Sequence, residues 1–71
     1  MKLLEGLMSE LRDVINELRQ KNELLAYNQD LETVLVAEGI EGANLEQVQT
    51  AVTTLQSEIT TLEARKAELE E

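Results

Sequence analysis

"VAEGIEGANLEQV", residues 36–48, interrupts an otherwise continuous helical pattern. Gly39 and Gly42 can adopt the positive backbone angles that end a helix, and Gly39 is the expected left-handed stop after Glu38. Asn44 reads as an N-cap, with Gln47 three residues on completing a capping box and Glu46 favourable in the first turn. Ile40, between the glycines, is expected to pack across the turn. Three segments follow: a long amphipathic helix over 1–37, a glycine-containing turn over 38–44 and a heptad helix over 45–71, together a single domain. A connection of about five to seven residues suits antiparallel neighbours. A helical hairpin is the expected arrangement, and an extended rod jointed at the loop is the alternative.

Downstream of the break the pattern is regular. Leu45, Val48, Val52, Leu55, Ile59, Leu62 and Leu69 alternate steps of three and four, with Lys66 in the one gap. That is a heptad seam, with Leu45, Val52, Ile59 and Lys66 at position a and Val48, Leu55, Leu62 and Leu69 at position d. Two units one heptad long repeat within it, "VTTLQSE" (52–58) and "ITTLEAR" (59–65). β-branched residues at a with Leu at d favour two parallel strands. The flanking charges do not agree: in a parallel pair Glu58 would repel Glu63 of the partner while Arg65 would attract Glu70. Strand orientation and oligomer number stay open. Thr53, Thr54, Thr60 and Thr61 at positions b and c are weak helix formers, so this helix needs packing to form.

Upstream, Leu4, Leu11, Leu18 and Leu25 recur every seven residues, each followed four residues later by Met8, Ile15, Asn22 and Gln29. This reads as a d/a seam whose a positions turn polar halfway, widened by Leu7 and Val14. A face this broad suits a bundle with more than one neighbour. After Leu25 the phase shifts: Leu24, Tyr27, Leu31, Val34 and Leu35 form another face, and Leu25, Asn28 and Leu31 have the spacing of a stammer. Asn22 and Asn28 are candidates for fixing register, as buried Asn does in coiled coils. In the hairpin, the second helix would lie along the C-terminal part of the first. The N-terminal third, with its Met/Leu/Ile face, would then overhang as an oligomerisation surface.

Composition limits the functions. Seventy-one residues without cysteine or histidine exclude a disulfide framework and Cys/His zinc sites, so a partner subunit is the remaining way to complete a core. Tyr27 is the one aromatic residue, which leaves no stacking platform for bases. The net charge is −9, with −3 on residues 1–37 and −6 on residues 38–71, and such a surface repels nucleic acid and anionic lipid. Val34–Ala37 is the longest apolar run, too short to cross a membrane, and no signal-peptide core follows Met1 and Lys2. A soluble protein, cytoplasmic or virion-associated, is expected. No phosphate loop, metal-ligand set or Ser-His-Asp constellation can be written from these residues, so no enzyme, cofactor or metal site is expected.

The heptads "VTTLQSEITTLEARKAELEE" (52–71), in a Glu/Ala/Gln-rich chain, resemble small coiled-coil assembly and virion proteins of tailed bacteriophages, such as scaffold-like or accessory head and fibre components. The resemblance implies an all-α structural protein that binds itself and another protein through its helices, and it carries over no functional residue. The competing reading is a small acidic inhibitor or adaptor that binds a partner protein. Carboxylates spread over positions b, c, e, f and g argue against mimicry of nucleic acid, which would need them in one stripe.

Overall fold

In the structure, a computed structural model, the backbone is described for residues 2–70 and the side chains for residues 6–70. Leu4 therefore lies outside the described side chains. Two α-helices make up the fold, α1 (Lys2–Ala37) and α2 (Ala43–Glu70), joined by a turn over 38–42. The molecule measures 57 × 16 × 14 Å. Helices of 36 and 28 residues laid end to end would reach about 95 Å at 1.5 Å per residue. The chain is thus an all-α antiparallel hairpin, one helix long, and the rod is excluded.

The reversal rests on two glycines. Gly39 has φ 73°, its N–H donates to the Val36 carbonyl at 3.1 Å, and the Ile40 N–H donates to the Leu35 carbonyl at 2.9 Å. Those two bonds form a Schellman motif, which satisfies carbonyls the helix end would otherwise leave open. Ile40 contributes its backbone to the turn, while its side chain remains partly in solvent. Gly42, at φ 93°, takes the capping place expected for Asn44: the Glu46 N–H donates to the Gly42 carbonyl at 3.0 Å. Asn44 lies inside α2, which starts two residues before Leu45 because Ala43 is a strong helix former and Gly42 tolerates the required angle.

Along α2 the seam follows the heptads. Val52, Leu55 and Ile59 are buried, and Leu45, Val48, Leu62, Lys66 and Leu69 are half-buried. Along α1 the seam is not the one read from sequence. Val14 and Leu18 are buried, while Leu11, Lys21, Leu25, Asn28, Glu32 and Leu35 are half-buried, so the steps of three and four run without a stammer. The inward partners of Leu11, Leu18 and Leu25 lie three residues after each, not four. Met8, Ile15, Asn22 and Gln29 are turned outward. The turn decides this phase. A five-residue connection must leave α1 on the side facing α2, which places Leu35 inward, and steps of seven back from Leu35 give Asn28, Lys21 and Val14.

Nor does a third of α1 overhang. Arg65 reaches Glu10, and Leu69, one turn further on, packs with the Val14, Leu18 and Ile59 cluster. The eight-residue difference in length leaves about two turns of α1 beyond the pairing.

Two substitutions separate backbone strain from helix propensity. A Cβ at Gly39 or Gly6 meets no atom within 4 Å, so only conformation matters. Gly39→Ala is expected to lower unfolding free energy by about 1–2 kcal/mol, because a left-handed angle penalises L-residues. Gly6→Ala, in the helical region, should raise it by up to about 1 kcal/mol. Urea midpoints moving in opposite directions check the pair. Ile59→Asp, which puts a charge into the seam, should abolish the helical circular dichroism of both arms, since neither has another intramolecular helix to pack against.

Candidate functional site

With one seam between two helices, every helix keeps an outer face. The two outer faces differ. Among the described residues, the exposed large apolar side chains are on α1 or at the turn: Leu7, Met8, Ile15, Leu24, Tyr27, Val34, Val36 and Ile40. The outer face of α2 carries Thr, Gln, Ser, Ala and Glu. Its Thr53, Thr60 and Thr61 hydroxyls donate to the carbonyls of Gln49, Gln56 and Ser57 at 3.0–3.2 Å, spending on their own helix the hydrogen a partner would use. Helix α1 is therefore the candidate interaction element.

Cross-helix ion pairs mark one flank of the hairpin. Arg65 Nε donates to Glu10 Oε1 at 2.9 Å, and its Nη2 donates to the same oxygen. Its Nη1 donates to Glu68 at 3.1 Å. Hydrogen bonding to Glu10, then to Glu68, raises the Arg65 pKa above its ordinary value, so the guanidinium keeps its charge. Lys21 extends from the seam to Glu58 at 3.5 Å, its stem covered and its ammonium at the rim. Lys66 also extends from the seam, but to Glu70 of its own helix, at 3.4 Å and on the opposite flank.

Counting in sevens from Glu10 along α1 gives Glu17, Leu24 and Leu31, so Leu24 and Leu31 lie on this ion-paired flank, with Tyr27 and Val34 beside them further round the helix. Met8, Ile15 and Val36 lie on the opposite flank. The face noticed after Leu25 in the sequence is thus a second stripe, not a displaced seam.

Charge is unevenly placed along the hairpin. Residues 22–57, the half nearest the turn, contain six acidic side chains and no Lys or Arg. All six cations belong to the open half, which is formed by residues 2–21 and 58–70.

Asn22 is exposed, and its amide donates to the Leu18 carbonyl at 2.8 Å. Asn28 occupies the seam, yet its amide donates to the Leu24 carbonyl of its own helix at 2.8 Å. Neither bonds across to α2, so the cross-helix amide contact that would fix register is not formed within the hairpin. Sequence reasoning missed Lys21 as a seam residue. The sevenfold step from Val14 through Lys21 and Asn28 to Leu35 was the available signal, obscured by the better apolar set four residues after each Leu.

Among the described residues, no three acidic side chains are grouped closely enough to hold a metal ion, and no helix is long and apolar enough to cross a membrane. Comparison with protein-family models, curated proteins and solved structures gives no match for this chain.

Asn28→Leu is expected to stabilise the hairpin by about 1 kcal/mol, from apolar area added to the seam without loss of a cross-helix bond. An increased thermal or urea midpoint checks it; a decrease would show that Asn28 has a polar partner outside the hairpin.

Proposed function

We propose that this protein is a non-enzymatic assembly component that acts through self-association of its helices. The observation that carries the reading is uncovered surface. A compact protein of 8.0 kDa exposes roughly 4,450 Å² by size scaling, whereas the hairpin exposes 5397 Å². The excess of about 950 Å² is close to the roughly 800 Å² that one partner contributes to a standard interface. Side chains that favour burial are part of the uncovered surface: Met8 is 63% exposed, Ile15 42% and Tyr27 62%. The core supports the same reading. Its most buried members, Val14, Leu18, Val52, Leu55 and Ile59, keep 7–9% of their surface in water, as expected of helices with one neighbour where a bundle would supply two.

The resemblance of residues 52–71 to small coiled-coil proteins of tailed bacteriophages supports a scaffold-like or virion setting. The alternative, a small acidic adaptor binding a different protein, draws on the cation-free turn half. Self-association is preferred because α1 also carries an apolar stripe beside arginines, which an acidic adaptor does not need.

Multi-angle light scattering and circular dichroism over a dilution series test this. The expected result is a mass above one chain at high concentration, with mass and helicity falling together on dilution. A fully helical single chain at every concentration overturns the proposal.

A further inference from the structure

The proposal above says that copies associate; the following inference rests on it and names the surfaces. The first stripe lies on the open half of α1, where Met8 and Ile15 alternate with Arg12 and Arg19. These four residues are neighbours at spacings of three and four, so they share one strip of helix surface. All four are exposed; Arg12 has 71% of its side chain in solvent and an exposed ion pair with Asp13 at 3.7 Å, and Arg19 donates to Asn16 at 3.2 Å. The second stripe lies on the turn half, where exposed Leu24, Tyr27 and Val34 and half-buried Leu31 are bordered by Glu23 and Asp30. The same spacings place both acids against Tyr27 and Val34.

The two stripes match. Arg12 and Arg19 are seven residues apart, as are Glu23 and Asp30. Met8 and Ile15 are seven apart, as are Leu24 and Leu31. Apolar pitch and charge pitch therefore coincide, at about 10.5 Å per step. Glu63 and Glu70 of α2 border the first stripe from across the seam, so the arginines supply its attraction from the outer edge. The turn half has no cation to oppose them.

We infer that the first stripe of one copy docks on the second stripe of another. The stripes lie on opposite flanks of the hairpin, with centres about 23 Å apart along α1 at 1.5 Å per residue. A two-fold pair cannot engage both, because engaging one leaves the other facing away. The contact is head-to-tail, and repetition produces a chain of staggered hairpins, open or closed into a ring. Each copy divides its surplus surface between two contacts. One contact then buries on the order of 950 Å² over both copies, below stable interfaces and in the range of weak, transient ones. Single contacts are weak, and assembly builds with concentration.

Complementation between two blocked variants tests this, using the full chain. Ile15→Glu spoils the first stripe and Tyr27→Glu the second; both sites are exposed, so circular dichroism should show the hairpin intact. At a concentration where the unmodified protein forms higher assemblies, each variant alone should sediment as one hairpin. An equimolar mixture should form 1:1 pairs and stop there. Either variant assembling alone like the unmodified protein, or a mixture that remains single hairpins, overturns the head-to-tail contact. A symmetric contact through one stripe would leave one variant unaffected, and that result refutes this inference while the assembly function stands. An unmodified protein that never assembles removes both. As a check on the charges, Arg12→Glu with Arg19→Glu should weaken assembly at least tenfold. Mixing with a Glu23→Lys, Asp30→Lys copy should restore pairing, and no recovery would mean that these charges do not meet.

Discussion

One strip of side chains between two antiparallel helices supports this protein. Neither helix is stable in water by itself, because ordering so many residues costs more than backbone hydrogen bonds and helix propensity return. The remaining stabilisation comes from the seam of Leu11, Val14, Leu18, Leu25 and Leu35 against Leu45, Val48, Val52, Leu55, Ile59, Leu62 and Leu69. Apolar burial is worth about 25 cal/mol per Å², and a single seam can cover only one side of each helix. Core depth is therefore limited by architecture. Replacing apolar residues by larger ones could not remove the water that reaches the seam from both flanks.

The same geometry produces the functional asymmetry. Helix α2 ends its apolar content at the seam, and its outer threonines bond to their own backbone. Helix α1 has apolar residues beyond what the seam can take, and they divide between two flanks. Lys21 and Lys66 show how cations are accommodated in the seam: their stems cover apolar surface while the ammonium groups reach Glu58 and Glu70 at its edge. Arg65 bridges both helices at the open end through Glu10. With the cations gathered at that end, the turn half is left acidic, and the proposed contact between copies uses this gradient of charge along the hairpin.

Much of the fold could be read from residue order. The α2 heptad was legible because each a and d position from Leu45 to Leu69 is apolar with the one exception of Lys66. Gly39 was legible as the helix stop, since only a residue without Cβ takes a left-handed angle cheaply. The start of α2 was less so: Asn44 and Gln47 had capping chemistry, but Gly42 with Ala43 began the helix earlier. In α1 two apolar sets competed for the inward position. Met8 and Ile15 looked stronger than Lys21 and Asn28, and periodicity alone could not choose between sets that share Leu11, Leu18 and Leu25.

Sequence by itself determined that there are two helices, where the first stops, and which face of the second is apolar. Each follows from local chemistry: side-chain period, glycine at a positive φ, and the absence of proline. Only the tertiary structure decided that the chain reverses, how far the arms overlap, and which face of α1 points inward. These depend on where a five-residue turn releases the chain relative to the helix axis, a constraint acting between segments distant in sequence. That rotation of α1 also determined which apolar residues became core and which were left on the surface for a partner.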